Sequence, residues 1–260
     1  MRWINWKQLL AAAALCCALA ISGSSASPQF PAANAQQSAT PQQTPAPAAS
    51  PAPQPSPAAE SQHRPEFFVM IDPSHGGCDT GADFGGKLLE KDITLKLARE
   101  LRKELEDRGI ASRLLRDSDV DLALDRRAEI TNEQRPGLYI ALHAGRTGRG
   151  VHVYAPMLSD AQPPAGRFLP WESAQAPALD RSKSAAQLIA AELRKKDSTV
   201  SVLGAPVRPL NNIITSAVAV ELAPEGADLQ SLDNPRRNSG VASAVASAIA
   251  QLRSQTGARP

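Results

Sequence analysis

The chain of 260 residues carries 28 lysines and arginines against 26 aspartates and glutamates, which gives a net charge of +2. The two signs are interspersed and no basic block stands out, which argues against nucleic-acid binding. Only Cys78 of the three cysteines lies beyond the N-terminal apolar run. An exported domain would therefore have no internal disulfide and would depend on its core or on a metal for stability.

The N-terminus has the pattern of a signal peptide. Basic residues precede an uninterrupted apolar run at residues 9–21, which is shorter than the roughly 20 residues needed to span a bilayer. Small residues favour cleavage after Ala26, with Ala35 as a second site. We expect residues 1–26 to be a signal peptide and the protein to be exported, to the periplasm or cell envelope or beyond the cell. An uncleaved leader that anchors the protein is the alternative.

Residues 27–64 are predicted to be a disordered linker. They are rich in proline, alanine and glutamine, and they have too few large apolar side chains to offset the entropy of ordering. Their prolines favour an extended spacer of about 3.1 Å per residue. The stretch at 65–256 is long enough for one domain with a hydrophobic core.

Strand and helix patterns alternate along this domain. Residues 67–71 form a continuous apolar run, typical of a strand covered on both faces, and glycine-rich turn residues follow it. Strands are predicted at residues 67–71, 111–115, 138–142, 151–154 and 217–222, and helices at 90–108, 122–133, 182–196 and 237–252. Residues 156–177 give no clear pattern. The alternation predicts an α/β fold, a single three-layer domain whose twisted, mostly parallel sheet has helices on both faces.

Four side chains are candidates for one shared site. His75, His143 and Glu221 lie at or just beyond the carboxyl ends of predicted strands, and Glu90 opens the first helix. Because ligands of such sheets bind beyond the carboxyl ends of the strands, we expect the four to converge. Each alone is also consistent with a structural role, such as a histidine bonded to backbone or an acid that offsets a helix dipole.

The four residue types together match the chemistry of a zinc hydrolase. Two imidazoles and one carboxylate complete a three-ligand catalytic zinc site with one position left open. The second carboxylate would then be free to act as a base towards water. Cys78, close to His75, is an alternative thiolate ligand, although cysteine favours closed structural sites. His63 lies in the linker, and we expect His152 to be an ordinary half-exposed strand residue.

The motifs around these residues resemble those of a known family, the zinc-dependent N-acetylmuramoyl-L-alanine amidases of the amidase-3 type. The segment IDPSHGGCDTGA is similar to the opening motif of that family, and Glu90-Lys91-Asp92 to its second ligand motif. The five similar segments are residues 71–82, 90–92, 115–132, 142–144 and 218–222. They occur in the family's order and spacing, and the resemblance as a whole extends over most of residues 67–252.

The resemblance implies that His75, Glu90 and His143 bind one Zn²⁺ ion and that Glu221 is the catalytic acid and base. It also implies hydrolysis of the amide bond between N-acetylmuramic acid and L-Ala of the peptidoglycan stem peptide. The expected partners are peptidoglycan and an activator protein. We expect no nucleic-acid partner, and membrane contact only through an uncleaved leader.

Several positions differ from the usual motifs of the family. Ser74 stands in place of a glycine, Gly145 in place of a frequent asparagine, and residues 223–226 differ after Glu221 and include Glu225 as a second candidate base. There are two alternative functions, and the differences beside Glu221 motivate the first of them. One is a non-catalytic peptidoglycan-binding or activator protein that keeps the fold, and the other is a zinc peptidase that cleaves within the stem peptide.

Overall fold

A computed structural model of the chain describes residues 67–86, 88–158, 173–196 and 199–257. The predicted signal peptide and linker lie outside these ranges, as does the larger part of the unassigned segment at 156–177. Among the described helices, none combines the length and the apolar character needed to cross a bilayer.

The described strands form one mixed sheet. They are β1 (Phe68–Pro73), β2 (Ala111–Leu114), β3 (Leu138–Ala144), β4 (Val151–Pro156), β5 (Val200–Ala205) and β6 (Ala217–Leu222). Their order in the sheet is β2-β1-β3-β6-β4-β5. Neighbours run parallel, except that β4 and β6 are antiparallel. The prediction of a mostly parallel sheet is confirmed.

Helices cover both faces of the sheet. They are α1 (Glu90–Glu106), α2 (Leu124–Gln134), α3 (Leu179–Arg194) and α4 (Pro235–Gly257). The larger core cluster packs α1, α3 and α4 against one face. The smaller cluster packs α2 and a short 3₁₀ turn, Leu210–Asn212, against the other face. The predicted three-layer α/β class is therefore confirmed.

The structure adds one strand that the sequence pattern did not predict. The predicted strands agree with β1, β2, β3, β4 and β6 to within two residues at each end. The unpredicted strand, β5, is an edge strand with β4 as its neighbour. Its residues are all half-buried or exposed, so it lacks the continuous apolar run that identifies a strand covered on both faces.

Alternation along the strands determines which face carries the candidate site. Tyr139 and Ala141 of β3 belong to the smaller core cluster under α2, and so does Ala219 of β6. His143 and Glu221 continue these two rows, because side chains of one face recur at every second residue. The parallel register pairs His143 with Glu221, so the two residues lie side by side at the carboxyl end of the sheet.

Candidate metal centre

The backbone that carries His75 is held by two arginines. His75 follows β1 with a φ of 64°, a left-handed conformation that is uncommon outside glycine. Arg127 donates from Nη2 to the carbonyl of His75 at 2.8 Å. Arg116 donates to the carbonyl of Pro73 at 2.8 Å and to that of Ser74 at 3.0 Å. These bonds stabilise an otherwise unfavourable turn.

The charge of Arg127 is paired inside the protein. Its guanidinium contacts the carboxylate of Asp72, and the two side chains are 3% and 1% exposed. Tyr139 donates its hydroxyl to the second oxygen of Asp72. Burial raises the pKa of Tyr139 well above its ordinary value, and the neighbouring carboxylate adds to this effect. The phenol therefore stays protonated, and the network joins β1, β3 and α2 beneath the site.

Glu90 lies between the two candidate histidines. It is the first residue of α1 and only 6% exposed. Its Oε1 atom is 3.2 Å from His75 Nε2 and 3.0 Å from His143 Nδ1, and its Oε2 atom accepts from the amide of Ala82 at 2.9 Å. Burial by itself would raise the pKa of Glu90, but the hydrogen bonds with His143 and His75 lower it well below its ordinary value. The carboxylate is thus ionised at neutral pH, as a metal ligand must be.

Each imidazole has a second partner on its outer side. His75 Nδ1 lies 2.9 Å from Asp79 Oδ2, and His143 Nε2 lies 2.9 Å from Ser74 Oγ. Burial lowers the pKa of His75, but its contacts with Glu90 and Asp79 raise it on balance. Both rings are therefore oriented from two sides, with one nitrogen of each directed at Glu90.

The three residues form a group that fits zinc. One ligand atom from each of His75, Glu90 and His143 lies within 4.8 Å of the others. Two imidazole nitrogens and one carboxylate oxygen are typical zinc donors, and three protein ligands are typical of a catalytic site. Cys78, the alternative ligand, is exposed and lies outside this group.

Two glycines leave room for the acidic side chains. At Gly81, which has a φ of 64°, a Cβ would lie 2.7 Å from both Glu90 Oε2 and His75 Cδ2. At Gly145, a Cβ would lie 2.8 Å from Glu221 Oε1. Real Cβ atoms do not approach other atoms this closely, so a larger residue at Gly145 would require the Glu221 carboxylate to move.

Glu221 is next to the histidine-glutamate group, with residues of β4 on its other side. The antiparallel register places His152 directly across from it, and the Tyr154 hydroxyl is 3.5 Å from its Oε1 atom. Burial raises the pKa of Glu221 above its ordinary value, although His143 and His152 act in the opposite direction. A carboxylate whose pKa is shifted towards neutral is suited to accept and return a proton.

Sequence analysis did not predict a place in the site for His152 or Tyr154. His152 is half-buried, as expected, but its buried Nδ1 atom has no hydrogen-bond partner among the described residues. A Cβ at Gly148 would lie 2.6 Å from its Nε2 atom, so the loop between β3 and β4 covers the ring. The alternation of β4 places His152 and Tyr154 on one face, but the sequence carries no signal that β4 pairs with β6.

Glu225, the second candidate base, has a different environment. Its carboxylate is 3.7 Å from Arg237 Nε and is 63% exposed. Arg237 also donates to the carbonyl of Gly150 at 2.8 Å and to that of Ala223. Glu225 thus contributes to an ion pair in the loop after β6, and Glu221 is the carboxylate adjacent to His143.

The chain is similar to proteins named as N-acetylmuramoyl-L-alanine amidases over part of its length. It is 39% identical over 89 residues to the germination-specific N-acetylmuramoyl-L-alanine amidase of Bacillus subtilis (strain 168), a match that covers 29% of this chain and 37% of that protein. It is 34% identical over 105 residues to the N-acetylmuramoyl-L-alanine amidase AmiC of Neisseria meningitidis serogroup B, covering 39% of this chain and 25% of that protein. The matched region thus spans well under half of either relative.

Solved structures share the fold over a larger part of the chain. The N-acetylmuramoyl-L-alanine amidase AmiC2 of Nostoc punctiforme aligns with a TM-score of 0.59 and 23% identity, covering 72% of this chain and 97% of that one. The catalytic domain of CwlV from Bacillus (Paenibacillus) polymyxa var. colistinus aligns with a TM-score of 0.59 and 20% identity, covering 72% and 98%. At these identities the likeness establishes the fold. The sequence profile of the Amidase_3 family, N-acetylmuramoyl-L-alanine amidase, matches residues 69–251, and the chain belongs to this family.

Proposed function

We propose that residues 65–256 form a zinc-dependent N-acetylmuramoyl-L-alanine amidase. The reaction is hydrolysis of the amide bond that joins the lactyl group of N-acetylmuramic acid to L-Ala of the peptidoglycan stem peptide. The observation that carries this proposal is the group formed by His75, Glu90 and His143, whose ligand atoms lie within 4.8 Å, with Glu221 in register beside His143. Family membership supports the reaction, and the donor set supports the metal.

His75, Glu90 and His143 would hold the ion. The nitrogens directed at Glu90 are His75 Nε2 and His143 Nδ1, so these atoms are the proposed ligands of the two rings. When bound, zinc supplies a Lewis acid that polarises the amide carbonyl and lowers the pKa of water from 15.7 to about 7.

Glu221 would move the proton during hydrolysis. It accepts a proton from the attacking water and returns it to the departing nitrogen, which makes the amine a better leaving group. Burial raises the pKa of Tyr154 to about 12, with the charge of Glu221 as a second cause. The phenol is therefore protonated at any physiological pH, and it can donate to Glu221 Oε1 and orient the carboxylate.

Mass analysis of digested peptidoglycan tests this function. Purified sacculi incubated with the zinc-loaded protein should release intact stem peptides that carry no sugar and have a free amino terminus on L-Ala. Protein treated with a chelator is the control and should release none. Shortened stems still attached to sugar would instead identify a peptidase. Binding to sacculi without release, by protein that contains zinc, would identify a non-catalytic module.

We also propose that the enzyme is exported and works at the cell envelope. The leader and linker patterns support export, and the family acts on a polymer outside the cytoplasm. Mass spectrometry of the mature N-terminus tests the leader. Processing after Ala26 or Ala35 would leave a freely diffusing enzyme, whereas retention of residues 1–26 would indicate a membrane anchor. An activator protein would be identified as a component that raises the turnover of the purified chain.

A further inference from the structure

The hydroxyl of Ser74 contacts a proposed zinc ligand on the side away from the metal position. Ser74 Oγ lies 2.9 Å from His143 Nε2, while His143 Nδ1 faces Glu90 Oε1 at 3.0 Å. We infer that Ser74 is a positioning residue for His143. Its hydroxyl holds the ring so that Nδ1 faces the metal, and it accepts a hydrogen bond from Nε2–H when Nδ1 is a ligand. This inference rests on the zinc site proposed above.

The backbone of Ser74 is fixed independently of this contact. Its amide donates to the carbonyl of Leu142 at 3.2 Å. Its carbonyl accepts from Thr94 Oγ1 at 2.9 Å and from Arg116 Nη2 at 3.0 Å. These bonds come from β3, from α1 and from the loop after β2. The hydroxyl is therefore held against the imidazole by the fold, and its removal would leave the backbone in place.

A hydroxyl group is a suitable partner for His143 both when zinc is bound to the ring and when it is not. A neutral imidazole has one N–H and one lone pair, and a metal takes the lone pair. With zinc on Nδ1, the proton of His143 is on Nε2, and Nε2–H donates a hydrogen bond to Ser74 Oγ. Without zinc, Nδ1–H can donate to the Glu90 carboxylate, and the Ser74 hydroxyl can then donate to Nε2. A hydroxyl both donates and accepts, so it orients the ring before and after the metal binds.

Asp79, the outer partner of His75, is much more exposed to solvent than Ser74. Asp79, which contacts His75 Nδ1, has a side chain that is 67% exposed, so water can substitute for it. Ser74 is only 6% exposed, so a solvent molecule has little access to replace its hydroxyl. Loss of that hydroxyl would leave Nε2 of the half-buried His143 ring without this partner, which carries a free-energy cost.

Zinc affinity, measured by competition with a chromophoric chelator on the purified full chain, tests the role of Ser74. Outer partners of ligating histidines typically contribute about 10-fold to 100-fold to metal affinity, so Ser74→Ala should weaken zinc binding by at least about tenfold. Ser74→Thr keeps the hydroxyl and should bind close to wild type. Ser216→Ala is the matched control, because Ser216 is equally buried at 6% but lies just before the amino end of β6, opposite the carboxyl ends of the strands that carry the site.

Nitrogen NMR of the zinc-loaded wild-type protein gives a second readout that needs no variant. His143 should show a metal-bound Nδ1 and a protonated Nε2. Ligation through Nε2, or zinc affinity of a folded Ser74→Ala protein within about twofold of wild type, would overturn the role of Ser74 while the zinc site stands. A wild-type protein that binds no zinc would overturn the proposed function, and this inference with it.

Discussion

The loop that carries His75 is fixed by buried hydrogen bonds, whereas the strand position that carries Glu221 leaves the side chain with few partners. Arg116 and Arg127 donate to the backbone of residues 73–75. Glu221, by contrast, has the Tyr154 hydroxyl at the long distance of 3.5 Å, and its Oε1 atom fits close to Gly145 because this residue has no side chain.

The difference fits the two chemical tasks proposed for these residues. Metal ligands must be held in place before the ion arrives, so their support is built into the fold. A general base must accept a proton in one step and release it in another, so it needs room and a pKa shifted towards neutral. Substitutions in the ligand loop should therefore reduce metal binding or stability, whereas substitutions around Glu221 should reduce turnover alone.

The largest effect is expected from His75→Ala. The variant removes one of the three proposed ligands and should lose both zinc, measured as metal content after dialysis, and all release of stem peptides. His63→Ala, the same change in the predicted linker, is the control and should retain both. Full zinc content in the His75 variant would mean that the ligand set is wrong.

Glu221→Gln should distinguish turnover from metal binding. It removes the proposed proton acceptor but leaves His75, Glu90 and His143 in place, so zinc content should stay at the wild-type level. Turnover should fall by about 10²-fold to 10⁴-fold, the usual contribution of a general acid-base group. Glu225→Gln is the matched control and should stay active. If instead the Glu225 variant were inactive and the Glu221 variant active, the role of base would move to Glu225.

Arg127→Met should remove the buried contacts that Arg127 makes with Asp72 and with the backbone of His75. It leaves the buried Asp72 carboxylate, only 1% exposed in its side chain, without its cation. Removing one partner of a buried ion pair costs about 3–5 kcal/mol, so the free energy of unfolding in denaturant should fall by that amount. The neighbouring change Arg126→Met removes an exposed pair with Glu129 and should cost about 0–1 kcal/mol. Equal effects of the two changes would show that Arg127 is not structurally important.

Tyr154→Phe is expected to have the smallest effect. It removes one long hydrogen bond to Glu221, and a typical hydrogen bond contributes about 0.5–1.5 kcal/mol. Turnover should fall by roughly 2-fold to 12-fold, with zinc affinity and unfolding free energy near wild type. A loss as large as that of Glu221→Gln would instead assign Tyr154 a direct role in the reaction.

Sequence patterns predicted most of the fold, and the signal was strongest for β1, β3 and β6, which are buried along nearly their whole length. Continuous apolar runs identified β3 and β6 and placed His143 and Glu221 at their carboxyl ends. The edge strand β5 has no fully buried residue and gave no such signal. Helix α4 extends to Gly257, beyond the predicted end at residue 252. The prediction ended too early because the last residues of the helix are exposed and carry no apolar side chains at helical spacing.

The sequence by itself determined the ligand candidates and the edge of the sheet at which they meet, because local apolar patterns and turn residues fix where strands end. Only the tertiary structure decided which side chains surround them. The contact of Ser74 with His143 joins residues 69 apart, and that of Tyr154 with Glu221 joins residues 67 apart. Such contacts depend on strand order and on the antiparallel pairing of β4 with β6. Those features arise from long-range pairing and have no local sequence signal.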